Sequence, residues 1–157
     1  YLETWEAFVE LREGGRVTSI GVSNFEPEHL HRVMDATGVV PVLNQVELHP
    51  FLNQAELRLF HELHGIVTEA WGPLARGRVA DDPVLQRIGA DHGRSPAQVA
   101  LRWEIQHGIV TIPKSKRPER MAENFDVFGF ELTADEITEI DGLHRDERTG
   151  PHPQGLN

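Results

Sequence analysis

The chain has 157 residues, of which 39% are hydrophobic and 25% charged, and it contains no cysteine. This composition is typical of a soluble globular protein, and it excludes disulfides, thiolate metal sites and thiol nucleophiles. The formal net charge of −10 argues against an extended surface for nucleic acid or for an anionic membrane. Because neither a signal peptide nor an apolar run of about 18 residues is visible, we expect a cytoplasmic protein without membrane spans. The first residue is Tyr1 rather than Met, which suggests a piece of a longer protein.

Strand-like and helix-like segments alternate along the sequence. Apolar residues at helical spacing before Gly14 predict a first helix. Runs rich in β-branched residues predict four strands, at 17–23, 39–48, 65–71 and 109–113. Apolar periodicity predicts six further helices, at 27–37, 53–65, 82–92, 95–107, 117–124 and 133–142. This alternation predicts an α/β fold with a parallel sheet, and the aperiodic tail 145–157 is predicted to be loop.

Local signals predict where several helices begin. Pro27 suits the first position of its helix, and Asn53 is predicted to cap the helix that follows it. Ser95 is predicted as the N-cap of a later helix, and Thr133 with Glu136 predicts a capping box.

Ligands of parallel α/β folds bind at the carboxyl ends of the strands, so the residues at these ends are candidates for a binding site. They provide hydroxyl and amide hydrogen-bonding groups, one flat aromatic ring and a group of cations. Such a set suits a ligand that carries an amide, a flat ring and phosphates. The main candidates are Ser23, Asn24, Gln45, Trp71, Lys114 and Ser115.

Each candidate taken alone also fits a structural role. Ser23 and Asn24 could cap the next helix, Gln45 could be a hydrogen-bonded core amide, and Trp71 could be a core residue. The basic run 114–120 could be a solvated helix start. However, cations at a helix N-terminus oppose the helix dipole unless an anion binds between them, which favours a bound phosphate.

Several other kinds of site are not supported by the sequence. The segment "GPLARGRV" (72–79) has the glycine spacing of a P-loop but lacks its Lys-Ser/Thr pair. Neither a G-x-G-x-x-G nor a G-x-S-x-G motif is present. His61 and His64 could share a helix face, but no third ligand follows at a suitable spacing, so we expect no metal site.

Four segments together resemble successive motifs of the aldo-keto reductases, in that family's order and spacing. They are "SIGVSNF" (19–25), "VLNQVELHP" (42–50), "EAWGPLARG" (69–77) and "IPKSKRPERMAENF" (112–125). The Trp of "AWGPL" resembles the bacterial branch that includes the 2,5-diketo-gluconate reductases.

The resemblance covers essentially the whole chain and implies a fold. It implies the second half, strands five to eight with their helices, of a (β/α)₈ TIM barrel. Residues 1–144 would then form the C-terminal half of one barrel, and residues 145–157 would form its C-terminal tail.

The resemblance also implies NADPH as the cofactor and a role for each motif. Ser23, Asn24 and Gln45 would hydrogen-bond the nicotinamide carboxamide, and Trp71 would stack on the nicotinamide ring. Residues along the pyrophosphate would be Gly72, Pro73 and Leu74. Residues at the 2′-phosphate would be Lys114, Ser115 and Arg120, with Glu123 and Asn124 at the adenine.

The chain departs from the family pattern in one respect. The family's catalytic Asp, Tyr, Lys and His belong to first-half motifs that are absent here, and the only tyrosine is Tyr1. We therefore predict no catalytic residue in this chain. With the missing N-terminal half it would reduce aldehydes or ketones as a monomeric enzyme. The alternative is a non-catalytic NADPH-binding half-barrel module, which would need to dimerise to cover its exposed edges.

Overall fold

The structure, a computed structural model, describes residues 1–156. Its strands are β1 (Val22–Ser23), β2 (Leu43–Glu47), β3 (Val67–Trp71) and β4 (Val110–Thr111). Its α-helices are α1 (Leu2–Glu13), α2 (Pro27–Thr37), α3 (Ala55–His64), α4 (Pro83–His92), α5 (Pro96–Gln106), α6 (Pro118–Phe125) and α7 (Ala134–Asp141). Two 3₁₀ helices span Ala75–Asp81 and Pro153–Leu156.

The four strands form one sheet in the order β1-β2-β3-β4. β1 and β2 are parallel, with Val22 opposite Asn44 and Ser23 opposite Gln45. The alternation of strands and helices predicted from the sequence is therefore confirmed, and the fold is α/β.

The chain divides into two compact units. The first contains residues 1–46, 54–69 and 153–156, and the second contains residues 47–53 and 70–152. In the first unit α1 packs against α2, and the apolar core includes Trp5, whose indole N–H donates to Thr37 Oγ1 at 3.1 Å. In the second unit α5 packs against α4, α6 and β4, and most of its side chains are buried.

Most of the predicted helix starts are confirmed because they depend on residues close together in sequence. α2 begins at Pro27, and capping boxes join Ser95 to Gln98 and Thr133 to Glu136. The predicted cap at Asn53 is wrong. The N-cap of α3 is Gln54, in the left-handed conformation with φ 51°, whereas the Asn53 side chain donates to the Asp141 carbonyl at 3.4 Å.

The predicted strands are too long, and one predicted loop contains a short helix. The segment 17–23 forms a strand only at Val22–Ser23, and 39–48 only at Leu43–Glu47. A β-branched run becomes a strand only where a neighbouring strand bonds its backbone, and β1 pairs with β2 at two positions. In the tail, residues 145–152 are loop as predicted, whereas Pro153–Leu156 forms a 3₁₀ helix.

The length of each helix decides whether it could cross a membrane. Among the described residues no helix is long and apolar enough to cross a membrane. The longest helix, α1, has 12 residues, whereas a span needs about 20.

Candidate cofactor site

The three predicted carboxamide-binding residues lie together in the first unit. Asn24 follows β1 with φ 58°, a left-handed conformation that asparagine tolerates better than most residues. Its backbone N–H donates to the Gln45 carbonyl at 2.8 Å, and Ser23 Oγ donates to the same oxygen at 3.0 Å. Asn24 Nδ2 also donates to Ser23 Oγ at 3.2 Å. These bonds fix the turn after β1 to the adjacent strand β2.

Ser23 and Asn24 do not cap the next helix, which was the structural alternative for them. Glu26 is the N-cap of α2 and forms a capping box with His29, whose Nδ1 accepts from the Glu26 backbone N–H at 3.1 Å. The hydroxyl and amide of the turn are therefore not needed to begin the helix.

The Gln45 side chain is oriented by a carboxylate that the sequence prediction missed. Gln45 is half-buried on β2, and its Nε2 donates to Glu69 Oε1 on β3. Because Nε2 is used in this way, Oε1 is the atom of the amide that could accept a hydrogen bond from a ligand.

A buried polar network lies behind the same turn. Asn44 Oδ1 accepts from the Phe25 backbone N–H at 3.3 Å, and Asn44 Nδ2 donates to the Phe25 carbonyl at 2.8 Å. Asn44 Nδ2 also lies 3.0 Å from His61 Nε2, and His61 Nδ1 lies 2.8 Å from Thr68 Oγ1. An amide nitrogen only donates, so His61 Nε2 accepts and the proton is on Nδ1. Burial lowers the pKa of His61 from 6.5 to about 4, and nearby His64 adds to this effect.

Trp71 ends β3 in the second unit. Its ring is half-buried rather than enclosed in the core, and its backbone carbonyl accepts from the Leu48 N–H at 3.3 Å. Gly150 packs against the ring, since a Cβ at that position would lie 2.6 Å from Trp71 Cη2. A larger residue at position 150 would have to displace the indole.

The loop after Trp71 contains several residues with positive φ. Gly72 has φ 67°, and the consecutive residues Ala75, Arg76 and Gly77 have φ 46°, 55° and 95°. Such conformations are unfavourable for residues with a Cβ and cluster at ligand-binding sites. Pro73 and Leu74, the other residues predicted to line the pyrophosphate, lie between these turns.

Glu47, the last residue of β2, holds the C-terminal segment of the second unit. Its side chain is 1% exposed and accepts from the Thr149 N–H at 2.6 Å, the Thr149 hydroxyl and the Gly150 N–H at 3.1 Å. His49 Nε2 lies 3.4 Å from the same carboxylate. Burial raises the pKa of Glu47, but the hydrogen bonds from Thr149 and Gly150 outweigh burial and lower it below its ordinary value.

Replacing Glu47 with Gln is expected to lower the free energy of unfolding by about 1–2 kcal/mol, because one oxygen acceptor becomes an NH₂ that faces a donor. Hydrogen exchange should show faster exchange at the Thr149 and Gly150 amides. Glu10→Gln, at an exposed position of α1, is the matched control. Unchanged protection of both amides in Glu47→Gln would show that the carboxylate does not hold this segment.

The predicted phosphate-binding residues lie around the start of α6. Lys114, Lys116, Arg117 and Arg120 are exposed, and among the described residues none of them forms an ion pair with a carboxylate. Other arginines of the same unit do form such pairs, for example Arg87 with Glu139 and Arg94 with Asp126.

The backbone at this helix start also has the features of an anion site. Ser115 Oγ accepts from the Arg117 N–H at 3.1 Å, which forms a turn directly before α6. The N-cap, Arg117, contributes no side-chain hydrogen bond to the first turn. Glu123 and Asn124 are half-buried further along the helix, and the Glu123 carbonyl accepts from Gln98 Nε2 at 3.2 Å.

The sequence prediction missed several residues that support the site, above all Glu47, His61 and Glu69. Glu47 could have been found, because an ionisable residue inside an apolar run must acquire partners when the strand is buried. His61 and Glu69 carry no such local signal, since their partners lie 17 and 24 residues away in sequence. In the described part of the chain no group of three or more potential ligands could hold a metal ion.

The arrangement defines a class of protein, an α/β protein whose candidate binding residues lie at the ends of its strands. Comparisons with known proteins agree with this class. The family model described as "Aldo/keto reductase family" matches residues 1–145. An aldo-keto reductase of Mycolicibacterium smegmatis is 54% identical over 157 residues, which are 100% of this chain and 57% of that protein. The chain belongs to the aldo/keto reductase family.

Two further matches bear on the branch and the cofactor. The 2,5-diketo-D-gluconic acid reductase B of a Corynebacterium species is 51% identical over 146 residues, which are 92% of this chain and 53% of that protein. A crystal structure of a Gox0644 mutant in complex with NADPH is 57% identical with a TM-score of 0.95, and the match covers 98% of this chain and 57% of that one. The chain thus spans little more than half the length of these proteins and folds as a partial TIM barrel.

Proposed function

We propose that this chain is the cofactor-binding part of an NADPH-dependent reductase of aldehydes and ketones. The observation that carries the proposal is the group of four exposed cations around the start of α6, none of which pairs with a carboxylate within the described residues. Four cations within seven residues at a helix N-terminus oppose the helix dipole unless an anion binds between them, so this cluster indicates a site for another anion.

The anion is the 2′-phosphate of NADPH. Lys114, Ser115 and Arg120 would hold it, and the free N–H groups of the first turn of α6 add favourable dipole interactions. Glu123 and Asn124 would lie at the adenine. NADH has a hydroxyl in place of this phosphate, so these residues would select NADPH.

The turn after β1 would bind the nicotinamide carboxamide. Gln45 Oε1 would accept from the carboxamide N–H, while Ser23 and Asn24 offer hydroxyl and amide groups on a turn that is already fixed. In the second unit Trp71 would stack on the nicotinamide ring, and Gly72, Pro73 and Leu74 would run along the pyrophosphate.

The bound cofactor would supply a hydride to the substrate carbonyl. The residues of this chain orient the nicotinamide and hold the phosphates, and none of them is assigned to proton transfer. We also propose that residues 1–144 belong to one barrel and residues 145–157 to its tail. The relative named as a 2,5-diketo-D-gluconic acid reductase supports a small carbonyl compound as the substrate class.

A second candidate is a non-catalytic NADPH-binding module. It is favoured by an open cavity of about 540 Å³ in the first unit, whose lining includes Tyr1, Phe8 and Leu43. A natural module with this apolar surface would need to dimerise.

Equilibrium titration and an activity assay test both candidates. We expect saturable NADPH binding by the chain, at least about 10-fold tighter than NADH. NADPH oxidation with aldehydes should require a longer natural chain that contains this one. Gel filtration that shows a natural dimer binding NADPH without turnover would favour the module. Absence of saturable NADPH binding in the longer chain as well would refute the proposed function.

A further inference from the structure

Asn44 controls the turn that carries two of the proposed carboxamide ligands. Its side chain bonds both backbone groups of Phe25, the residue directly after Ser23 and Asn24. If the amide rotated by 180°, its NH₂ would face the Phe25 N–H and its oxygen would face the Phe25 carbonyl. Both contacts would be repulsive, so the orientation of this amide decides whether the turn is held.

His61, on helix α3, supports the amide orientation that the Phe25 backbone groups require. Its Nε2 accepts from Asn44 Nδ2 at 3.0 Å, and a rotated amide would place an oxygen against this lone pair. The Asn44 amide N–H fixes the tautomer of His61 with the proton on Nδ1, and Thr68 Oγ1, 2.8 Å away, accepts the hydrogen bond from this Nδ1–H. The side chains of Asn44 and His61 are almost fully buried, at 0% and 1% exposure, so water does not substitute for these bonds.

We propose that His61 is a positioning residue for the nicotinamide carboxamide. By accepting from Asn44, it fixes the amide that holds the Phe25 backbone, and thereby places Ser23 and Asn24 for the ligand. His61 does not touch the cofactor in this arrangement, and its effect passes through Asn44. This inference rests on the proposed function, since it assumes that the turn after β1 binds the carboxamide.

Two ligands separate positioning from a general role in folding. NADPH has the carboxamide, whereas adenosine 2′,5′-bisphosphate has the adenine and the 2′-phosphate without the nicotinamide. In calorimetric titrations of the full chain, His61→Leu is expected to weaken NADPH binding about 3- to 10-fold. The same substitution should change the affinity for the bisphosphate less than about twofold. His61→Gln should bind like the wild type, because glutamine offers an oxygen acceptor and an N–H donor.

A second pair of variants covers the case in which His61→Leu does not fold. Thr68→Val removes the acceptor for the His61 Nδ1–H with little change in side-chain shape. It should weaken NADPH binding about 2- to 3-fold and leave bisphosphate binding unchanged. Thr68→Ser keeps the hydroxyl and should bind like the wild type.

Three results would overturn the inference. The first is an equal loss of affinity for both ligands in His61→Leu or Thr68→Val. The second is an unchanged affinity for NADPH in both of these variants. The third is a His61→Gln variant that binds NADPH as weakly as His61→Leu. Failure of both the wild-type chain and a longer natural chain that contains it to bind either ligand would overturn the proposed function and this inference with it. Bisphosphate binding without any gain in affinity from the nicotinamide would overturn the inference while leaving the phosphate site in place.

Discussion

Arg120→Ala is expected to weaken NADPH binding about 10- to 100-fold and to leave NADH binding nearly unchanged. Only NADPH carries the 2′-phosphate, and a charge-assisted hydrogen bond to it is lost when the guanidinium is removed. Lys114 and Ser115 remain, so binding should be weakened rather than abolished. Calorimetric titration of the wild type and the variant with both cofactors measures the difference.

Two control variants separate a specific contact of Arg120 with the 2′-phosphate from a general effect of its positive charge. Arg16→Ala removes an exposed cation from the first unit and changes the net charge by the same amount, so it should leave the preference for NADPH intact. Arg120→Lys keeps the charge but loses the planar guanidinium, and should fall between the wild type and Arg120→Ala. Equal losses of affinity for NADPH and NADH in Arg120→Ala would show that Arg120 does not bind the 2′-phosphate.

Between pH 6.5 and about 4, the free energy of unfolding of the wild-type chain is expected to fall by about 3 kcal/mol more than that of His61→Gln. Burial lowers the pKa of His61 to about 4 in the folded chain, so only the unfolded chain binds the proton over this range. The contribution is therefore fully present above pH 6.5 and is lost as the pH falls to about 4. Urea unfolding at a series of pH values measures it.

His64→Gln is the matched control for this pH experiment. It removes an exposed histidine of the same helix, α3, and leaves the network of His61, Asn44 and Thr68 in place. We expect this variant to follow the wild-type pH dependence closely, with a slightly smaller loss of stability, because His64 is the smaller of the two causes that lower the pKa of His61. If His61→Gln instead lost stability as steeply as the wild type, His61 would not be held in its neutral form by the fold.

Helix starts could be predicted from the sequence because their chemistry is local. Ser95 and Gln98 lie in one turn, and their mutual hydrogen bonds form wherever the helix forms. Asn53 has the right side chain for a cap, yet Asp141, 88 residues away, receives its hydrogen bond instead. That competition is decided by tertiary contacts, which a local pattern does not contain.

Strand lengths could not be predicted in the same way. The run 17–23 is rich in β-branched residues, but the length of β1 is set by its pairing with β2, more than 20 residues later. Similarly, the tail 145–157 shows no periodicity in the sequence, and its described contacts join residues far apart, such as the bond from the Thr149 N–H to Glu47, 102 residues earlier.

The candidate site was predictable as a set of residue types, and its supporting contacts were not. The position of Ser23, Asn24 and Gln45 in or directly after the predicted strands singles them out, and the structure brings them together. The pairing of Gln45 with Glu69 and the network of Asn44 with His61 require knowledge of which strands and helices are neighbours.

The most direct test is an experimental structure of the chain with NADPH bound. We predict that the 2′-phosphate lies within hydrogen-bond distance of Lys114, Ser115 and Arg120, and that the carboxamide contacts the turn at Ser23 and Asn24. A 2′-phosphate left in solvent, or a cofactor bound away from these residues, would contradict the proposed function.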